Sequence, residues 1–104
     1  MRKRKKTSDA VEILRRHIDR DPELRAVVAE ERMNREIAEL IRGAREAEGL
    51  SQEELASRLR TSQSTIARLE NPDYGGHTLR MLARILASLN RDLEVRAPRK
   101  TARA

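Results

Sequence analysis

The stretch "GLSQEELASRLRTSQSTIARLEN", residues 49–71, decides the fold. Gly49 closes a preceding helix as a left-handed C′ residue does. Ser51, with Glu54 three residues on, forms a capping box that opens a short helix. Leu55, Ala56 and Leu59 make that helix's buried side. "RTS" turns the chain, and Thr61 or Ser62 caps a second short helix. In this second helix Ile66 and Leu69 point one way, three residues apart. Gln63, Ser64 and Arg68 point the other way. The open face is therefore polar and built of hydrogen-bonding side chains rather than a solvating charge run.

Outward from this stretch the chain is helical in pattern. Ser8 or Asp9 can cap a first helix to about residue 20, with Val11, Leu14 and Ile18 on one stripe. "DRDPEL" breaks and restarts the chain, with Asp21 as N-cap and Pro22 at the first helical position, where its missing N–H costs nothing. A long helical pattern follows to about Glu48. Leu24, Val27 and Val28 form one apolar cluster; Met33, Ile37, Leu40, Ile41 and Ala44 form another. The polar "AEER" between them implies a bend or two faces with different neighbours. On the other side, "NPDYGGH" is a loop. Thr78 caps a last helix to about Asn90, with Leu79, Leu82, Leu86 and Leu89 on one face and Met81 and Ile85 on another. That second face makes Met81 and Ile85 dimer candidates. "DLEVRA" alternates, which allows a short C-terminal edge strand. The expected organisation is a basic disordered tail at 1–7, a helical extension at 8–33, a compact domain at 34–90, and a strand with a basic tail at 91–104.

Composition narrows the class. The chain has 104 residues, no Trp, Phe or Cys and a single Tyr, so its core is aliphatic and disulfides and thiolate metal sites are excluded. No run approaches the roughly 18 apolar residues of a membrane span. The basic start "MRKRKK" has no apolar stretch after it, so it is no secretory signal, and a cytoplasmic protein is expected. Net charge is +6, but all seventeen acids lie between Asp9 and Glu94 with fourteen basic residues, leaving the body at −3 and the two ends at +9. Basic ends suit a polyanion. No nucleophile–base arrangement and no ligand set occurs. His17 and His77 read as surface residues, with His77 a phosphate-contact candidate. The sequence points to a binding protein without cofactor or metal, not to an enzyme.

Two short helices joined by a tight turn within an all-α bundle are a helix-turn-helix layout. Gly49-Leu50-Ser51-Gln52, Glu54-Leu55-Ala56, Thr65-Ile66 and Leu69-Glu70-Asn71 resemble the Cro/CI-type (XRE) helix-turn-helix family over roughly residues 34–90. The resemblance implies a five-helix bundle and sequence-specific binding of double-stranded DNA; a dimer formed through the two-sided last helix would make the operator an inverted repeat. It implies base contacts by Gln63, Ser64, Thr65 and Arg68, and phosphate contacts by Gln52, Thr61, Ser62 and Asn71. Gln suits adenine and Arg suits guanine in the major groove. It further implies a structural salt bridge between Arg45 and Glu70. The chain departs from the family at Arg60, where glycine is common, so strain is expected at a residue with positive φ.

The layout of "DRDPELRAVVAEE" leading into "EIAELIRGAREAEGLSQEELA", with "LEVRAP" after the last helix, is similar to HigA-type antitoxins of bacterial toxin–antitoxin modules. This implies a HigB/RelE-like mRNA-cleaving toxin as partner, and autorepression in the nucleoid. Val11, Leu14, Ile18, Leu24, Val27 and Val28 are the toxin-binding candidates. Their stripes are buried either on such a partner or on the chain's own bundle or dimer mate. The alternative is a stand-alone repressor whose extra helices serve dimerisation.

Overall fold

The computed structural model describes residues 2–100, with side chains from residue 9 onward. Five helices follow one another: α1 (Arg2–Arg20), α2 (Pro22–Ala47), α3 (Gln52–Leu59), α4 (Gln63–Leu69) and α5 (Leu79–Ser88). The fold is all-α. No helix among the described residues is long and apolar enough to cross a membrane.

Each start has its chemical cause. The Asp21 carboxylate accepts the N–H groups of Glu23 and Leu24 at 2.9 and 3.4 Å, with Pro22 at the first position of α2. Ser51 and Glu54 exchange reciprocal bonds of 3.0 Å, a complete capping box. The Ser51 backbone N–H, with its hydroxyl adding to the effect, lowers the Glu54 carboxyl pKa. Ser62 and Thr78 cap α4 and α5 with a single bond each, accepting the N–H of Thr65 and of Met81.

The ends share one device. After α2 the Gly49 N–H donates to Glu46 O (2.9 Å) and the Leu50 N–H to Arg45 O (3.2 Å), with Gly49 at φ +69°. This is the Schellman pattern, which satisfies terminal carbonyls through one left-handed residue. Asn90, at φ +60°, closes α5 likewise, and Arg60, at φ +56°, closes α3. Glycine and asparagine enter that region readily; arginine does so at about 1–2 kcal/mol. Arg60→Gly should therefore stabilise the fold. Glycine's greater freedom in the unfolded chain offsets part of the gain, so a net of about 0.5–1 kcal/mol is expected. A urea midpoint at or below that of the wild type would show that Arg60 makes compensating contacts.

The core sits where α2, α3, α4 and α5 meet: Ile41, Ala44, Leu55, Ala56, Ile66, Leu69, Leu82, Ile85, Leu86 and Leu89. Each fully buried Leu or Ile contributes about 1.5–3 kcal/mol. Ala56 is buried in α3, the helix packed most closely on α4, where a larger side chain would force the two apart. Arg58 ties α3 to the end of α5 by donating to Ser88 O at 3.1 Å.

Several expectations are corrected. Residues 2–7 belong to α1 rather than to a disordered tail, because Arg and Lys are strong helix formers and nothing in "RKRKKTSD" breaks the run. The long helix expected to about Glu48, by contrast, is present: α2 runs unbroken for 26 residues through "AEER", with Val28 before it lining the cleft shared with α1 and Ile41 and Ala44 after it in the core. Ile85 is 0% exposed and belongs to this chain's own core, so it cannot face a second copy; Met81 packs half-buried against the same core. No strand occurs among the described residues: Leu93 packs on the bundle, Val95 is exposed, and no sheet edge exists for 92–96 to join. Residues 101–104, including Arg103 of the basic end, lie outside the described residues.

The extension is a helical hairpin. Val11, Leu14 and Ile18 of α1 and Val28 of α2 line a shared cleft. Ile18 and Val28 are half-buried there, but Val11, Leu14, Leu24 and Val27 stay 44–60% exposed.

Candidate nucleic-acid interface

The open surface of α3 and α4 is organised around one acid. Glu70, at the end of α4, accepts from Arg45 of α2 twice: Nε to Oε2 at 2.7 Å and Nη2 to Oε1 at 2.9 Å. The third guanidinium nitrogen donates to Leu50 O at 2.7 Å. The two side chains are only 11% and 3% exposed. Hydrogen bonding to Glu70 raises the Arg45 pKa; burial opposes it, and the charges of Glu70 and Glu46 add to the rise. The ion pair thus joins α2 to the end of α4 and, through Leu50, to the start of α3.

From Glu70 a chain of amides leads to the surface. Gln52 and Gln63 are the first residues of α3 and α4. Gln52 Nε2 donates to Glu70 Oε1 at 3.1 Å, and Gln63 Nε2 donates to Gln52 Oε1 at 2.7 Å. The direction is dictated chemically. An ionised carboxylate only accepts, so Gln52 must offer its NH₂ inward; its oxygen then faces Gln63, which must donate in turn. Gln63 keeps one N–H and its carbonyl oxygen unused, the donor–acceptor pair that suits adenine N7 and N6.

The hydroxyls behave differently. Ser62 Oγ caps Thr65 N at 3.2 Å and lies 3.0 Å from Ser64 Oγ and 2.8 Å from Thr65 Oγ1. Ser62 is thus engaged within the motif. Ser64, Thr61 and Arg68 are exposed and Thr65 is half-buried. Asn71 is exposed; its Oδ1 accepts Asp73 N at 2.9 Å, which leaves its NH₂ as donor.

His77 is not a surface group. Its Nε2 lies 2.7 Å from Leu69 O, so that nitrogen carries the proton, and its buried Nδ1 has no partner among the described residues. Tyr74 stands edge-on to its ring at 4.9 Å. His77 satisfies a carbonyl at the end of α4 and is removed from the phosphate candidates. The sequence also did not show Gln52 as the link between Gln63 and the buried pair. Its signal was the placement of two glutamines, eleven residues apart, at the starts of successive helices.

A family model described as a helix-turn-helix domain matches residues 38–94, more than half of the chain. The chain belongs to the Cro/CI-type (XRE) helix-turn-helix family. No curated protein and no solved structure matches it. As a helix-turn-helix protein it is a DNA-binding transcription regulator, with α3 and α4 as the two helices of the motif. The matched span begins at Ala38, the first buried residue of α2, so it contains every buried core residue and leaves α1 and the first part of α2 outside.

Proposed function

We propose that this helix-turn-helix protein is an antitoxin: it represses its own operon through α4 and neutralises a HigB/RelE-like mRNA-cleaving toxin through the α1–α2 hairpin. Gln63, Ser64, Thr65 and Arg68 read base edges in the major groove. Gln52, Thr61, Ser62 and Asn71 hold the phosphate backbone, Gln52 also orienting Gln63. Two copies bind an inverted repeat with recognition helices about 34 Å apart. Arg68→Ala should cost about 1–3 kcal/mol on the operator and relax preference at one base pair, a G·C. Binding across a set of operator variants checks this; an unchanged preference profile would remove Arg68 from the base contacts.

The observation that carries the antitoxin reading is the exposed apolar stripe of the hairpin. Val11, Leu14, Leu24 and Val27 leave half or so of their surface uncovered and lie outside the domain that binds DNA. Such stripes are retained for a partner. Residues 9–48 carry eleven acids against eight basic residues, which complements a basic toxin and speeds encounter.

Leu14→Asp and Val27→Asp test it in the full chain. Both side chains are exposed in the single chain, at 60% and 50%, so both variants should fold and bind DNA as the wild type does. They should no longer co-elute with the protein encoded beside this one or rescue cells that express it. Full rescue by both variants would refute the hairpin as the neutralising surface. The second reading, a stand-alone repressor, uses the same stripe for a second copy. It gains if the variants turn from dimer to monomer in light scattering while no neighbouring protein binds.

A further inference from the structure

A cleft of about 270 Å³ opens between the turn of the motif and α5, lined by Leu59, Arg60, Thr61, Met81 and Arg84. Its apolar side chains, Leu59 and Met81, are half-buried, and Arg60, Thr61 and Arg84 stand exposed around them. No carboxylate lines it. The ion pairs among the described residues engage Arg42, Arg45 and Arg96, not Arg60 or Arg84. Two guanidinium groups therefore share one cleft without a counter-charge. Arg60 holds its place there with a left-handed backbone, the conformation that glycine would adopt more cheaply.

We infer that this cleft takes a phosphate group of the DNA backbone, gripped by Arg60 and Arg84 with the Thr61 hydroxyl as a further donor. The inference rests on the DNA-binding reading of α4. Planar guanidinium forks match phosphate oxygens in bidentate fashion, and a phosphate between them replaces mutual repulsion by two charge-assisted contacts. The source follows from position. Arg60 precedes Gln63 by three residues, so their backbones lie at most about 11 Å apart. Each strand of a duplex carries a phosphate about every 3.4 Å along its axis. A duplex read by Gln63 therefore runs phosphates within reach of an arginine side chain at position 60. The contact is independent of sequence and sets register, leaving base choice to α4.

The test titrates the full chain and its R60G, R84Q and R60G/R84Q variants onto a short mixed-sequence duplex over a series of salt concentrations, with urea unfolding to verify each fold. R60G removes strain together with the charge, and R84Q is an exposed, helix-compatible change, so at least one variant stays folded. The double variant should show a slope of log K against log salt shallower by about 0.9, the loss of one phosphate. R25Q, in the hairpin, should keep the wild-type slope. A double variant with the full slope, or an equal change in R25Q, overturns the proposal while leaving the DNA-binding reading intact. A wild-type chain without salt-dependent binding overturns that reading itself. Inorganic phosphate, titrated alone and followed by the NMR signals of Arg60 and Arg84, supplies the other arm. If it shifts them while the DNA slope of the double variant is unchanged, the cleft is a free-anion site and the backbone contact is refuted.

Discussion

Ile85→Glu should leave the chain unfolded in water, with no cooperative transition in urea, whereas Met81→Glu should fold with a modest loss. Ile85 is fully enclosed by the core of α2, α3, α4 and α5. A carboxylate there would lose its water and meet no cation, a cost of at least several kcal/mol even after protonation. Domains of this size hold only about 5–15 kcal/mol in total. Met81 lies half-buried at the rim of the same core, so a glutamate there can turn its charge outward. The pair also separates two roles for α5. A folded Ile85→Glu protein that had merely become monomeric would restore a dimer seam on that face and contradict the packing.

Glu70→Ala should cost about 3–5 kcal/mol, the range for removing one member of a buried ion pair and leaving the other charge stranded. Arg45 would keep only its bond to Leu50 O. The same change frees the inner end of the Gln52–Gln63 chain. A second effect is therefore expected where enough folded protein survives: discrimination at the base that Gln63 is proposed to read should weaken more than overall affinity does. Urea unfolding measures the first effect, and binding to operator variants under native conditions measures the second. Equal stability to wild type would mean that water reaches Arg45 more freely than its 11% exposure allows.

Local chemistry was legible in the sequence. The caps at Asp21, Ser51, Ser62 and Thr78 and the left-handed closure at Gly49 are decided within a few residues of chain, and they bounded α2 to α5 to within a residue or two. The polar face of α4 and the pairing of Arg45 with Glu70 were read from motif and resemblance. What was not legible depended on which face a neighbour covers. The spacing of Met81 and Ile85 shows a second apolar face on α5 but not that α2 and α3 both pack on that helix. Leu79, placed on the expected inner face, is instead 65% exposed. His77 read as a surface residue because its acceptor, Leu69 O, is a backbone atom eight positions away, and no side-chain pattern announces it. The continuity of α2 was legible as a long helical pattern to about Glu48; the polar stretch within it left open only whether the helix bends or turns two faces to different neighbours.

That continuity has a geometric consequence. At 1.5 Å per residue, the 26 residues of α2 form a rod of about 39 Å. One end presents Leu24 and Val27; the other carries Arg45, clamped to Glu70 at the end of α4. Successive residues turn by about 100°, so the azimuth between the hairpin stripe and the Arg45 clamp on α4 is phase-locked by the number of residues between them. On the proposed reading, a partner on the stripe would be carried at one bearing around the duplex axis, on a spoke rather than a tether, and its bulk would decide which stretch of neighbouring DNA it overhangs.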